Sequence, residues 1–448
     1  MVSADNLNLD CLELVFAYLT GNDLFSVSLV SKSFLAGVIP YLYRTIVYHL
    51  GNAKRYPAVM SPFETLVKHP SLAVHVHNID IRTVPIVKAT VQPKFMANVV
   101  KSLNLCTNLR TFTCTPNILP ALLLPLKSHE DLRGIRVNAT LTMPQADILK
   151  SLVKLQSLAL DACSWNMVDA LPDWTRRMSS TLTTLTLQTI QELNEPILEQ
   201  MLPNLPNLTS LYVVGCAKIE HGTILRATRY TPKLQNLGLT AWDSAALPPA
   251  LADLPHLRHL AVDTHIAPIV NGLPNTSSPS LWTAIIALTK TWGCPLSSIT
   301  LRLSDKVTIS HSLVQNLLEA HGETLEHIAL VNVDVAWESV RAIAAKAKQL
   351  DRLAMHIPTK EVRAFSNVLG RSKTLQTITD MGESHTTHGS QAYLTRDAVR
   401  TLMFEVPNLR KLVTTDRLWT AGGWRNRGLN IKLAKRKVAC PSYWFYPR

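Results

Sequence analysis

The sequence has few of the features that define membrane, secreted or disulfide-rich proteins. No apolar run approaches the ~18–20 residues that a membrane-spanning helix needs. Residues 1–10 contain neither the basic region nor the apolar stretch of a secretion signal. The seven cysteines are an odd number without close pairs, which argues against a disulfide framework. We therefore expect reduced thiols, no membrane partner, and a location in the cytoplasm, the nucleus or both.

Signatures of bond chemistry are also missing from the sequence. The chain has no phosphate-binding glycine loop, no nucleophile elbow, no HExxH and no CxxC. We find no catalytic constellation and no set of ligands that completes a metal site. The sequence therefore predicts no enzyme, no cofactor and no metal ion, and recognition of another molecule is the expected role.

The composition is that of a folded chain with an uneven charge. Hydrophobic residues make up 47% of the 448 residues and charged residues 17%, which excludes a largely disordered protein. This length suits two or three domains or one elongated array. The net charge is +13, and residues 417–448 contribute eight Lys or Arg without any Asp or Glu.

The first 45 residues predict three short amphipathic helices. Leu12, Val15, Phe16 and Leu19 recur at helical spacing, and polar residues that can cap helices precede the next two apolar stretches. Three short helices bury their own apolar faces poorly, so this region is expected to bind a partner. The alternative is an ordinary helical cap of the domain that follows.

The order of residues in this region resembles the F-box. The matching positions are Leu7, Asp10, Leu12, Val15, Phe16, Leu19, Asp23, Leu24, Val30, Ser31, Lys32 and Phe34. Asn8, Ser31 and Phe34 stand where the F-box pattern usually has Pro, Cys and Trp. The resemblance implies that an SKP-family adaptor binds this region and links the chain to a cullin. The adaptor contacts that it implies are Leu7, Leu12, Val15, Phe16, Leu19, Leu24, Val30 and Phe34.

A Leu-x-x-Leu-x-Leu pattern recurs through most of the remaining chain. Successive copies from Leu109 begin 23, 23, 27, 26, 26 and 23 residues apart, which is within the 20–29-residue period of leucine-rich repeats. The sequence therefore predicts an α/β fold, in which a three-helix F-box (1–45) precedes a solenoid of about 12–13 degenerate repeats (46–416). Each repeat is expected to add a strand to a curved parallel sheet on the concave face, with helices or irregular segments on the convex face.

Residues that flank the inward leucines are expected to face solvent on the concave sheet, where a target protein would bind. The candidates are Arg133, Arg136, Asp161, Gln188, Tyr212, His259, Asp263, Arg302, His327, Arg352 and His356. Arg and His side chains suit an acidic or phosphorylated partner. A solvated polar face without a partner is the alternative.

Residues 417–448 combine basic residues with large aromatic side chains. Trp419, Trp424 and the cluster at 443–446 could cover the end of the last repeat, as solenoids require. The same mixture could instead bind nucleic acid. We favour the cap, and nucleic acid is not the expected partner.

The resemblance implies the substrate-recognition subunit of an SCF-type cullin–RING ubiquitin ligase. The F-box would dock the adaptor, and the repeats would bind a target protein for ubiquitination. The chain itself would do no bond chemistry. The alternatives are an interaction scaffold outside a ligase and a nucleic-acid-binding protein that acts through the basic segment.

Overall fold

Three short helices open the chain. The computed structural model of the protein describes residues 9–19, 21–51, 59–242, 247–248, 251–265, 279–381, 394–414, 417–422, 430–435 and 444–447. The first helices are α1 (Leu9–Phe16), α2 (Asn22–Ser28) and α3 (Lys32–Leu42). Ser31 begins α3 because its side chain accepts a hydrogen bond from the Phe34 amide at 3.2 Å. We call residues 9–42 the helical bundle.

The chain divides into two compact units, residues 1–207 and 208–448, a division that the sequence does not predict. In the first unit, parallel strands follow the helical bundle: β1 (Thr45–Tyr48), β2 (Asn78–Ile81), β5 (Thr111–Cys114), β6 (Gly134–Ala139), β7 (Ser157–Cys163) and β8 (Thr184–Gln188). A separate hairpin joins β3 (Ile86–Val87) and β4 (Thr90–Val91). The helices after β1 are Pro62–Lys68, Pro93–Leu105, Leu123–Lys127, Met143–Leu149, Trp165–Arg177 and Glu195–Met201.

The second unit repeats the strand–helix alternation. Its strands are β9 (Ser210–Val214), β10 (Asn236–Trp242), β11 (His259–His265), β12 (Ser298–Ile309), β13 (His327–Val335), β14 (Arg352–Met355), β15 (Thr377–Asp380), β16 (Lys411–Val413), β17 (Arg417–Gly422) and β18 (Asn430–Lys435). The helices are His221–Ala227, Ser280–Thr291, His311–His321, Trp337–Lys346, Val362–Leu369 and Arg396–Glu405. The pairs from β9 to β16 are parallel, whereas β17 and β18 pair antiparallel.

The repeated leucines form the core because each strand places them in register with the same position of its neighbour. Leu237 of β10 pairs with Leu211 on one side and Leu260 on the other, and all three are buried. The helices begin where the sequence supplies a cap. Ser310 and Thr395, for example, accept hydrogen bonds from the amides of Leu313 and Ala398.

The predicted α/β class, with N-terminal helices followed by parallel strand–helix repeats, is confirmed. The antiparallel end of the second unit differs from the predicted pattern of repeats. The segment 415–422 has no Leu-x-x-Leu-x-Leu copy, and the chain turns back so that Trp419 pairs with Leu412 of β16. Trp419 is buried there.

The described ranges lack two features that would indicate a membrane or metal-bound protein. Within those ranges, no helix is long and apolar enough to cross a membrane. The same ranges hold no group of three or more His, Cys, Asp or Glu residues placed to bind a metal ion.

Candidate functional site

The helical bundle has its own small core. Leu12, Phe16, Leu24 and Val38 are buried in it. The partly buried residues that pack against this core are Leu19, Val27, Phe34, Tyr41 and Leu42. The rings of Phe16 and Phe34 lie 5.4 Å apart between centroids. Aromatic contact across α1 and α3 therefore holds the helices together.

A second set of apolar side chains in the bundle points to solvent. These residues, which we call the bundle surface, are Leu14, Val15, Tyr18, Phe25, Leu29, Val30 and Leu35. Their exposed fractions run from 42% for Leu35 to 89% for Tyr18. So many exposed large apolar side chains in about twenty residues are typical of an interaction site.

The bundle corrects part of the adaptor-site prediction. Leu12, Phe16 and Leu24 are too deeply buried to contact a partner directly, because the periodicity that identified them marks the core of the bundle. Leu19 and Phe34 also pack mainly against that core. Val15 and Val30 are exposed and remain predicted contacts. Leu7 lies outside the described residues.

In the first unit, three predicted target contacts bind one another. The Arg136 guanidinium donates to both carboxylate oxygens of Asp161 at 2.8 Å and to the Gln188 side-chain oxygen at 2.6 Å. Arg136 and Gln188 are buried. Arg136 and Gln188 are therefore not free to bind a target. Arg133, by contrast, is partly exposed and pairs with Asp131 at 3.3 Å.

In the second unit, the residues between the core leucines form aligned rows on the opposite side of the sheet, which we call the ladder face. One row is polar: Ser210, Asn236, His259, Ser298, His327, Arg352, Thr377 and Lys411. The next row consists mostly of small residues: Tyr212, Gly238, Ala261, Thr300, Ala329, Ala354, Thr379 and Val413. The small row leaves a shallow trough along the sheet.

A chain of hydrogen bonds fixes the imidazoles of the polar row. His259 Nε2 lies 2.7 Å from the Phe445 carbonyl oxygen, which can only accept, so Nε2 carries the proton. His259 Nδ1 then accepts from the Ser298 hydroxyl at 2.8 Å. Ser298 in turn accepts from Nδ1 of His327 at 3.0 Å. Burial lowers the pKa of His259 to about 4, which keeps this ring neutral.

The aromatic segment, residues 444–447, covers part of the ladder face. Phe445 is fully buried against Tyr212, Val214 and Ala261. The Phe445 and Tyr212 rings are 5.3 Å apart between centroids. The predicted cap at the end of the last repeat is therefore wrong for these residues, since they lie across the sheet face. Tyr443 and Trp424 lie outside the described residues.

Four of the predicted target contacts in the second unit do not face solvent. Tyr212, His259, Asp263 and His327 are all buried, so their prediction as solvent-facing residues is wrong. Burial raises the pKa of the Asp263 carboxyl, and Arg302, at 3.8 Å, opposes that rise. Each of these residues has a partner within the unit.

The remaining predicted contacts stay partly exposed. Arg302 lies 5.4 Å from the centre of the Trp444 ring, and Arg352 pairs with Asp351 at 3.5 Å. His356 lines a separate cavity of about 420 Å³ with Trp337 and Phe365. Their role in target binding remains a prediction.

The ladder face is open beyond the aromatic segment. A cavity of about 270 Å³ begins at Trp444 and extends from β12 to β17. Residues that line it include Thr300, Ala329, Ala354, Thr379, Val413 and Trp444. The Thr300 hydroxyl is buried and has no hydrogen-bond partner among the described residues. Sequence reasoning missed this cavity, although the small side chains at one repeat position signal it.

Acidification is expected to destabilise the second unit through two buried histidines. Burial lowers the pKa of both His259 and His321 to about 4, whereas an unfolded His titrates near ~6.5. The unfolded chain therefore binds more protons below pH ~6.5, and stability falls as the pH drops from there towards about 4. Replacing His321 with Gln should reduce the loss between pH ~7 and ~5 by roughly 2 kcal/mol. Denaturant unfolding at both pH values measures this loss, and an unchanged loss in His321→Gln would contradict the assignment.

Comparison with known proteins finds a family model that matches part of the chain, and weak similarity to solved structures. Residues 5–36 match the model described as the F-box domain. No curated protein sequence matches the chain. The Rad7–Elc1 complex from yeast is 15% identical with a TM-score of 0.41, over 72% of this chain and 76% of that one. A leucine-rich-repeat protein of Leptospira interrogans is 15% identical with a TM-score of 0.29, over 79% of this chain and 94% of that one.

Proposed function

We propose that this chain is the substrate-recognition subunit of an SCF-type cullin–RING ubiquitin ligase. It carries an F-box domain at residues 5–36 ahead of leucine-rich-type repeats. The bundle surface docks an SKP-family adaptor, and the repeats bind a target protein. A ubiquitin-conjugating enzyme on another subunit then modifies lysines of the target. This chain contributes proximity, which makes the transfer effectively intramolecular.

The F-box match carries this proposal, and the bundle surface supports it. The exposed Val15, Leu29 and Val30 side chains lie within the matched residues. Their exposure is costly in water and is relieved when a partner covers them. The buried set, including Leu12 and Phe16, keeps the three helices in place without contacting the adaptor.

The variant Val15→Asp/Val30→Asp is expected to lose adaptor binding by a hundredfold or more, about 3 kcal/mol, because two carboxylates would be buried unpaired at the interface. Both valines are more than half exposed, so the free protein should melt at the wild-type temperature. Biolayer interferometry with a purified SKP-family adaptor measures the loss.

The matched control is Val59→Asp/Val87→Asp, since these valines are 69% and 50% exposed and lie outside the matched residues. The control should bind the adaptor normally. Wild-type binding by the Val15/Val30 variant would show that the bundle surface is not the adaptor site.

Different measurements distinguish the two alternative functions, a scaffold outside a ligase and a nucleic-acid-binding protein, from the proposed one. A scaffold outside a ligase would bind the adaptor without a cullin, so co-purification of a cullin distinguishes it from a ligase subunit. Nucleic-acid binding through residues 417–448 has less support, because Trp419, Trp444 and Phe445 are buried within the second unit. Their faces are therefore not available for stacking on bases.

A further inference from the structure

The aromatic segment lies on a sheet that is complete without it. The parallel pairs β9–β10, β10–β11 and β11–β12 contain no residue of 444–447, and the segment itself is neither helix nor strand. It is held by ring contacts and by the carbonyl hydrogen bond to His259. A bound peptide would be held by the same kinds of contact.

The contacts of the segment define what this part of the ladder face accepts. Gly238 and Ala261 leave room for the Tyr212 and Phe445 rings. A Cβ at Gly238 would stand 2.6 Å from the Tyr212 ring, which is too close for an ordinary contact. Trp444 packs beside Phe445 with its ring near Arg302. Tyr446 packs against the same cluster, with its ring 4.8 Å from that of Tyr212 between centroids. The site therefore selects three adjacent aromatic side chains.

His259 supplies recognition that is independent of side-chain identity. Its Nε2–H donates to a main-chain carbonyl, a group that every extended peptide has. Ser298 orients the ring by donating to Nδ1. The Ser298 hydroxyl thus fixes the orientation of the donor independently of the segment, which lowers the ordering cost of binding.

The ladder face also has an unused polar group next to the segment. Thr300 is almost fully buried, and its hydroxyl has no partner in the described part of the chain. It lines the 270 Å³ cavity that starts at Trp444. Residues 444–447 leave that hydroxyl unpaired, whereas a longer peptide could continue into the cavity and hydrogen-bond it.

We propose that the ladder face from β9 to β12 binds an extended segment of a partner protein with three adjacent aromatic residues, and that residues 444–447 occupy this site until the partner displaces them. This inference deepens the proposed function, because it names the class of target that the repeats recognise. Adaptor binding by the bundle surface is measured in parallel, so either idea can fail without the other.

A peptide in trans tests the proposal. The probe is a fluorescein-labelled, amidated peptide of residues 441–447, and the receptor is a chain that lacks residues 444–448. Fluorescence anisotropy should show saturable binding to this shortened chain. Binding to the full chain should be at least about tenfold weaker, because the tethered segment competes at a high effective concentration. A peptide with Trp444→Ser and Phe445→Ser should not bind.

Matched substitutions locate the site. In the shortened chain, Ala261→Leu fills the place of the Phe445 ring and should abolish binding. Ala159→Leu makes the same change at the equivalent buried position of β7, between Leu158 and Leu160 in the first unit, and should leave binding intact. Equal effects of the two changes would overturn the assignment.

The stability of the free protein decides between a displaceable ligand and a part of the core. Should the shortened chain fail to fold, the full-length Trp444→Ser/Phe445→Ser chain replaces it as receptor. The proposal is overturned if both chains lose cooperative melting, if the peptide fails to bind a folded receptor, or if it binds the full chain equally well. Cooperative melting of a receptor that binds the peptide selectively supports it.

Discussion

Replacing Leu237 with Asp is expected to abolish cooperative folding of the second unit. Leu237 is fully buried between Leu211 and Leu260 on neighbouring strands. The substitution removes a core side chain, which costs about 2–5 kcal/mol, and adds a buried carboxylate without a partner. The total loss is comparable with the whole free energy of unfolding of a domain, which is ~5–15 kcal/mol. Circular dichroism during heating should show no cooperative transition for this unit.

Thr240→Asp is the control on the same strand. Thr240 lies on the ladder face, is partly buried, and accepts a hydrogen bond from the Gly215 amide at 2.8 Å. An Asp side chain can accept that bond, but its partner on β11 is Asp263, and like charges directly opposite each other cost up to about 1 kcal/mol. We therefore expect a loss within about 2 kcal/mol, well below that of Leu237→Asp. Equal destabilisation by the two substitutions would contradict the register of β10.

Arg136→Ala is expected to destabilise the first unit by about 3–5 kcal/mol, because it leaves the Asp161 carboxylate without its bidentate partner in a largely buried position. Arg133→Ala removes an arginine three residues earlier in the chain. The pair of Arg133 with Asp131 is exposed, so its loss should cost at most about 1 kcal/mol.

Urea denaturation of the two arginine variants gives both values. Similar free energies of unfolding would show that the Arg136 network contributes no more than a surface pair. The comparison also matters for function, because a target-binding defect in Arg136→Ala would then reflect lost structure rather than a lost contact.

The repeated strands and their core could be predicted because both depend on local spacing. Each Leu-x-x-Leu-x-Leu copy identifies a strand and the side that it buries, as at Leu155 and Leu160, which are fully buried. The same reasoning identified the buried residues of the helical bundle. It could not separate a core from an interface, because helical periodicity marks both. For that reason the sequence predicts Leu12 and Phe16 as interface residues, whereas both lie in the core of the bundle.

The solvent-facing residues were harder to predict, because their surroundings depend on distant parts of the chain. Nothing near His259 in the sequence indicates Phe445, which is 186 residues away. The Arg136 network spans 25 and 52 residues, close to one and two repeat lengths. Opposite charges at neighbouring repeats could therefore have predicted that network. The position of the aromatic segment could not be predicted in this way, because its residues are not part of the repeat pattern.

The distance along the chain between His259 and Phe445 also determines when the ladder face is covered during folding. Neighbouring strands meet across short loops, as between Ser210 and Asn236, which are 26 residues apart. Closing the 186-residue loop to Phe445 costs roughly 2 kcal/mol more in chain entropy, on a logarithmic dependence. Strand–helix repeats can assemble from one neighbour to the next, so closure of the aromatic segment is expected to come last. A folding chain therefore passes through a state in which the sheet is formed and the trough at Gly238 and Ala261 is still open.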